Sequence, residues 1–271
     1  MKIAFQGVHG AYSEFAIYQQ YGSDVETVGY ESFEDVFDAV TRQDVGAGII
    51  PVENSIAGSV SRNYDFFLSK PVYAIGEVYT PIRHCLLAVP GRQLSDIRTV
   101  VSHPMALKQC EAFLKTHGFK SLPEYDTAGA AKLVAERTDL SQAAIASSLA
   151  AEIYQLQILV EDIQTMNTNL TRFLVIAEAM PKDLRREKTS IAFKTEHHPG
   201  ALEDCLHILT NNQINLTKIQ SRPIPENPWE YVFYADFEGG TDSARIRHAL
   251  QELEVEAKYL KVLGSYPLGK K

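Results

Sequence analysis

Short apolar runs alternate with stretches of helical spacing along most of this chain, and that alternation predicts its elements. Residues 3–6 read as a strand, and Gly7-Val8-His9-Gly10-Ala11-Tyr12-Ser13-Glu14 as a turn into a helix that ends near Gly22. Residues 25–30 read as a second strand. Ser32-Phe33-Glu34-Asp35 is a helix-start signature, followed by Phe33, Val36, Phe37 and Val40 at helical spacing. Residues 47–52 form a third strand, with Glu53-Asn54-Ser55 at its C-terminal end, where α/β sheets place their ligand crevice. Residues 61–69 read as a helix.

A β-rich stretch over 72–89 is broken by Pro81. Residues 99–101 are a strand, and Ser102-His103-Pro104 opens a helix to about His117, with Pro at the first helical position. Then come an extended segment (122–125), an Ala-rich helix (127–137), a strand (143–146) and a helix (147–154), and residues 158–161 lead into the next stretch. Asn167-Thr168-Asn169-Leu170-Thr171-Arg172 reads as a polar loop feeding the buried strand 173–177. Such a loop either mounts hydroxyl, amide and guanidinium groups for an anionic ligand or is a turn with an exposed Arg.

This order predicts an α/β fold with a largely parallel sheet. Residues 81–168 form a unit of their own, and the run 173–177 returns to the first unit. The chain therefore outlines a two-lobed domain over 1–180, with lobe 1 at about 1–80 and 170–180 and lobe 2 at about 81–169. Pro181 and the charges through Lys188 mark a linker over 181–188. Beyond it strand (190–194), helix (199–211), strands (214–221 and 231–237), helix (242–252) and strand (255–263) spell β-α-β-β-α-β, the ferredoxin-like arrangement, over 189–271. Arg222-Pro223-Ile224-Pro225-Glu226-Asn227-Pro228 joins its middle strands.

Composition narrows the picture. In 271 residues, 45% are hydrophobic, which allows a sizeable core, and the net charge of −8 argues against general nucleic-acid binding while leaving a small anionic ligand open. The N-terminal apolar run is too short for a signal peptide and no run is long enough to cross a membrane, so a cytoplasmic protein without membrane partners is expected. Cys85, Cys110 and Cys205 are odd in number and widely spaced, as buried thiols in a reducing compartment would be. The His residues show no metal-ligand spacing.

Gly10-Ala11-Tyr12-Ser13-Glu14, Pro51-Val52-Glu53-Asn54-Ser55-Ile56-Ala57-Gly58, Ser102-His103-Pro104-Met105-Ala106-Leu107 and Asn169-Leu170-Thr171-Arg172-Phe173, in that order, resemble the prephenate dehydratase family. The tail resembles that family's ACT regulatory domain, through Pro199-Gly200-Ala201-Leu202 and Asn215-Leu216-Thr217-Lys218-Ile219-Gln220-Ser221-Arg222-Pro223. The likeness runs from about residue 2 to residue 266, without a chorismate mutase extension, so it is to the monofunctional form. Met105 stands where the family has Gln, and Gln220 where the regulatory motif has Glu.

The resemblance implies conversion of prephenate to phenylpyruvate with loss of CO2 and water, in phenylalanine biosynthesis. It implies a two-lobed catalytic fold like the type 2 periplasmic binding proteins, no metal or organic cofactor, a homodimer or tetramer, and phenylalanine as feedback ligand. Arogenate dehydratase is a sister activity that sequence separates poorly. An amino-acid-binding sensor without chemistry is the alternative from another class.

Prephenate is a dianion whose ring hydroxyl must leave as water, so the site needs positioning and one well-aimed donor more than a nucleophile. Thr171 matches the family's catalytic Thr and is assigned the hydrogen bond to that hydroxyl. Arg172 either pairs with a substrate carboxylate or forms a structural ion pair. Tyr12, Ser13, Asn54, Ser55, Ser102, Thr168 and Asn169 are read as substrate binders, Ser13 equally as a helix cap. Glu53, His103 and Phe173 are supporting: Glu53 orients its neighbours or makes a salt bridge, His103 is an acid or structural, and Phe173 anchors the strand. Pro199, Gly200, Ala201 and Leu202, with Asn215, Leu216, Thr217, Gln220, Ser221 and Arg222, would cradle phenylalanine at a subunit interface; the alternative is an ACT dimer that binds nothing.

Overall fold

The computed structural model describes residues 1–137, 139–224 and 227–270. Its elements follow the predicted alternation: β1 (Lys2–Gln6), α1 (Tyr12–Tyr21), β2 (Glu26–Tyr30), α2 (Phe33–Thr41), β3 (Ala47–Asn54), β4 (Gly58–Ser59), α3 (Ser61–Ser69), β5 (Tyr73–Pro81), β6 (Cys85–Ala88), β7 (Thr99–Ser102), α4 (Pro104–Gln109), α5 (Glu111–Thr116), β8 (Lys120–Pro123), α6 (Thr127–Glu136), β9 (Gln142–Ala146), α7 (Ser148–Ile153), β10 (Gln157–Val160) and β11 (Leu170–Ala177). Then come β12 (Lys188–Lys194), α8 (Ala201–Asn211), β13 (Leu216–Ile224), β14 (Asn227–Glu238), α9 (Ala244–Glu256) and β15 (Tyr259–Tyr266).

Three differences from expectation matter. β3 runs two residues further than the apolar pattern, and β11 begins three residues earlier, so Glu53, Asn54, Thr171 and Arg172 sit in strands rather than loops. Backbone pairing continues there although the side chains turn polar. The helix expected to reach His117 breaks at Cys110, where ψ is 13°. Ala106, Cys110 and Leu114 reach one core across the break. β12 begins at Lys188, inside the expected linker, where the backbone already pairs with Glu238 and Tyr266; the Lys188 ammonium is buried against Glu77 at 2.9 Å. In the connection expected over 222–228, Pro225 and Glu226 lie outside the described residues.

The chain divides into two compact units. The first holds Met1–Val36, Ile49–Ser59 and Tyr79–Phe173; the second holds Phe37–Gly48, Val60–Val78 and Leu174–Lys271. Within the first, β1 and β2 pair in parallel, and β10-β6-β9-β7-β8 form a five-stranded sheet. β7 is parallel to β8 and β9, but β6 is antiparallel to both β9 and β10, so this sheet is mixed rather than largely parallel. Apolar alternation marks a strand but not its direction. Both faces are covered over β6, β7 and β9, which is why those strands read as apolar runs. Cys85 and Leu87 of β6 pack with α6 and α7 residues Ala130, Val134 and Ala150, while Leu86 and Ala88 pack with Ala106, Cys110 and Leu114. The three thiols are free and buried, and burial pushes those of Cys85, Cys110 and Cys205 up to about 11, about 12 and about 11.

In the second unit β12-α8-β13-β14-α9-β15 is the predicted β-α-β-β-α-β order, and its strands lie β13-β14-β12-β15, antiparallel throughout. Ile191, Phe193, Ala235 and Phe237 face Cys205, Leu209, Ile246, Ala249 and Leu253 of α8 and α9. β14 also meets α3: the Tyr64 and Tyr234 rings lie 5.0 Å apart, tilted by 37°, and Tyr234 donates to Asp65.

Candidate functional site

The polar residues at the end of β3 and the start of β11 meet in the first unit. Asn54 is the hub. Its Oδ1 accepts from the backbone N–H groups of Ile56 and Ala57 at 3.0 and 2.8 Å, which fixes the amide's orientation, since an N–H can only donate. Its Nδ2 then donates to Asn169 Oδ1 at 2.7 Å and to Thr171 Oγ1 at 2.9 Å. Both amide protons are used, and Leu170 O at 3.4 Å is a poor third acceptor. Ser55 locks the same join: its Oγ donates to Thr168 O at 2.8 Å and accepts from Leu170 N at 2.9 Å.

This geometry has a chemical consequence. Thr171 Oγ1 accepts from Asn54, and among the described residues the hydroxyl donates to nothing, so its proton is available to a ligand oxygen. Among the described residues Asn169 Nδ2 is buried without a partner, a second uncommitted donor beside the first. The Asn169 amide cannot be turned round, because that would set two NH2 groups against each other.

Side chains alternate across a strand, so Arg172 lies on the opposite face of β11 from Thr171. It is 4% exposed, with its Nη1 4.0 Å from Glu53 Oε2. Phe173 is buried in the core. Ser102 is fully buried, its hydroxyl donating to Ile145 O at 2.6 Å. His103 caps α4, accepting from Met105 N at 3.2 Å, and burial holds its pKa below the usual value, partly offset by Asp126. Ser13 is buried near the start of α1 but is not its cap, a place taken by Ala11 without a side-chain bond. Glu14, fully buried, takes four donors instead: Gly10 N, His9 Nδ1, Tyr18 Oη and Thr27 Oγ1. Burial raises its pKa, but bonds from Thr27, His9 and Gly10 outweigh that and leave it below the usual value.

Tyr12 is committed within the protein. Its hydroxyl lies 2.6 Å from Arg83 O and 2.8 Å from His84 Nδ1, and burial raises its pKa well above the ordinary value. His84 Nε2 in turn lies 2.7 Å from Gln109 Oε1. Gln109 faces a cavity of about 650 Å³, whose wall also includes Ile56, Ala57, Met105, Lys108 and Gln164. Neither Asn54 nor Thr171 lines it, but Ile56 and Ala57 are the residues whose N–H groups Asn54 holds. Ile82, just past β5, donates its N–H to the carbonyl of Asn169, just before β11, at 2.8 Å.

Sequence reasoning does not single out His84, Gln109 or Gln164. Helical spacing held a signal for one of them: Met105, Gln109 and Ala112 recur at three- and four-residue intervals and share the cavity face. Among the described residues no group of three or more His, Cys, Asp or Glu side chains could hold a metal ion.

In the second unit, Gly200 precedes α8 with φ +93°, a left-handed conformation that favours glycine. Gly200, Ala201 and Leu202 line a cavity of about 540 Å³ with Thr195, Tyr231 and Phe233; Pro199 and the residues of 215–222 do not line it. Asn215 O instead accepts from Glu238 N at 3.1 Å, Leu216 packs toward the α8–α9 core, and Thr217 donates to Asp236 O at 3.2 Å. Gln220 donates to Ser61 Oγ at 2.8 Å while its Oε1 is buried without a partner. Arg222 pairs with Asp65 at 2.7 Å, and Ser221 is exposed.

Fold and site together define a mixed α/β protein in which Asn54 holds the neutral side chains of Thr171 and Asn169 while its other partners, Ile56 and Ala57, line a cavity. The family model described as prephenate dehydratase matches residues 3–181. Arogenate dehydratase/prephenate dehydratase 2 of Arabidopsis thaliana is 44% identical over 279 residues, covering 99% of this chain and 73% of the plant protein. Among solved structures, prephenate dehydratase from Arthrobacter aurescens in complex with L-Phe superposes with a TM-score of 0.90 at 29% identity, covering 99% of this chain and 90% of that one. GqqA, described as a novel type of quorum quenching acylase, gives 0.90 at 31% identity over 98% of each chain. The chain belongs to the prephenate dehydratase family, whose members make it a dehydratase of aromatic amino acid biosynthesis.

Proposed function

We propose that this protein converts prephenate to phenylpyruvate, eliminating water and CO2. The observation that carries the reading is the Thr171 hydroxyl, which accepts from Asn54 and keeps its own proton free. That proton is aimed at the leaving ring hydroxyl, and the substrate carboxylate's charge flows into the ring as CO2 departs. A neutral site suits this, because strong ion pairing would hold the ground-state carboxylate as tightly as the transition state. The Asn169 amide is the second donor to substrate, with Asn54 and Ser55 holding both in register. Arg172 and Glu53 brace the strands from the opposite face.

The hydroxyls here are not arranged as nucleophiles. Thr171 has an amide as its partner, and Ser55 has backbone groups. An activated nucleophile needs a base in contact, so the acyl transfer named for GqqA is not the chemistry this geometry favours. Arogenate is the second reading, since the plant relative carries both names. Arogenate differs from prephenate in bearing an amino group on the side chain, away from the hydroxyl that leaves.

The residues 81–169 form the second lobe of the catalytic domain, joined to the first at the Ile82–Asn169 crossing. The β-α-β-β-α-β segment serves as an ACT regulatory domain for phenylalanine, as the L-Phe complex of the Arthrobacter aurescens protein suggests. The protein then works as a homo-oligomer, since the expected cradle residues lie apart within one chain. Purified protein incubated separately with prephenate and arogenate decides the matter. Phenylpyruvate from the first supports the reading, phenylalanine from the second alone supports the alternative, and no turnover of either overturns both.

A further inference from the structure

We propose that His84 is a positioning residue that holds the Gln109 side-chain amide with its NH2 group facing the cavity, so that His84 acts on the reaction through Gln109. This rests on the reading above, in which substrate binds beside Thr171. His84 is 2% exposed and is pinned at three points besides its Nε2 contact. Its N–H donates to Gln164 Oε1 at 2.7 Å, its carbonyl accepts from Ile163 N at 3.0 Å, and its Nδ1 lies 2.8 Å from the Tyr12 hydroxyl. The Gln109 carbonyl accepts from Thr165 N at 2.9 Å, which fixes the helix end that carries the amide.

The Gln109 amide, set with Oε1 toward the ring at 2.7 Å, fixes the hydrogens: an amide oxygen only accepts, so His84 Nε2 carries the proton that reaches it. Burial lowers the pKa of the ring and favours its neutral form, in which Nδ1 is an acceptor. The Tyr12 hydroxyl donates to Arg83 O at 2.6 Å, and with Nδ1 at 2.8 Å its one proton is divided between the two acceptors. With Oε1 committed to the imidazole, the two amide protons of Gln109 are the groups left for the cavity. An NH2 group can only donate, so it takes an oxygen acceptor: a carboxylate, carbonyl or hydroxyl of the ligand. Gln109 then adds a third neutral donor to those of Thr171 and Asn169, and a rigid imidazole aims it.

A double-mutant cycle tests this, with His84→Leu, Gln109→Ala and the pair, reading kcat and KM on whichever substrate is turned over. A misplaced donor costs on the order of 10- to 100-fold in kcat. Each single variant should lose that much, and the double variant no more than Gln109→Ala alone. Losses that multiply, or a His84→Leu enzyme within about twofold of wild type, would overturn the proposal. Should His84→Leu fail to fold, His84→Gln replaces it, because its amide N–H can still reach Gln109; it should lose less kcat than Gln109→Ala, and an equal or larger loss counts against the proposal. A readout independent of turnover separates failure here from failure of the functional reading. The ¹H–¹⁵N signals of the Gln109 NH2 group, assigned by their disappearance in Gln109→Ala, should shift in the His84 variant. Unchanged signals would overturn the proposal even in a protein inactive on both substrates.

Discussion

Thr171→Val is the sharpest perturbation of the site, because it removes one oxygen while keeping the shape of the side chain. The hydroxyl accepts from Asn54 at 2.9 Å, so its loss removes a hydrogen bond with a net value of about 1 kcal/mol. It also strands one Asn54 proton, whose nearest other acceptor, Leu170 O, is 3.4 Å away. An unsatisfied donor costs about 1–3 kcal/mol, and the added methyl in a site 7% exposed returns up to about 0.8 kcal/mol. The net is a loss of about 1–3 kcal/mol, or a fall in Tm of roughly 2–12 °C. Taken from a typical stability of about 5–15 kcal/mol, that leaves roughly 97% or more of the protein folded at 25 °C. Losing a donor that acts in the transition state costs far more turnover, about 100- to 1,000-fold in kcat. Initial rates at saturating substrate, paired with thermal melts, keep the two effects apart. A kcat within about threefold of wild type would refute the role given to Thr171. So would a kcat loss that merely tracks the unfolded fraction.

Gly10→Ala should lower stability by about 2–4 kcal/mol, since φ is +91° and a Cβ there would lie 2.8 Å from the Ala150 backbone; an unchanged Tm would contradict that close approach. Acid should weaken the fold in two stages, read from urea midpoints between about pH 7 and about pH 3. Burial holds the folded pKa of His84 below the unfolded value of about 6.5, so the unfolded chain takes up the proton first and stability falls as pH drops below about 6.5. Glu14 also has a depressed folded pKa, so its contribution is present above the unfolded value of about 4.3 and is lost as pH falls through the folded one. A midpoint constant from pH 7 to 5.5 would rule out the first stage.

Strand and helix order was legible in the sequence because it follows from local periodicity. The same apolar runs that predicted strands at 3–6, 143–146 and 173–177 are strands, and 61–69 is the helix α3. The Asn169–Phe173 and Glu53–Ser55 stretches were likewise marked as candidate chemistry, by residue type together with the family resemblance. Their pairing was not legible, because Asn54 and Thr171 are separated by 117 positions. Nor was the division of labour within Thr171-Arg172. In a loop both side chains can reach one ligand; in a strand they cannot, and only backbone pairing decided that β11 begins before them.

His84 shows the limit from the other side. Its local context, Pro81-Ile82-Arg83-His84, reads as a break in a β-rich stretch and carries no chemical signal. Its neighbours Tyr12, Gln109 and Gln164 come from three distant segments. What the sequence determined by itself was which groups are available and where the strands and helices that carry them form, since both depend on residues a few positions apart. What only the tertiary structure decided was which hydroxyl keeps a free proton and which amide is turned toward the cavity. A polar group's function here depends on which of its hydrogen bonds are already taken, and those partners arrive through long-range packing.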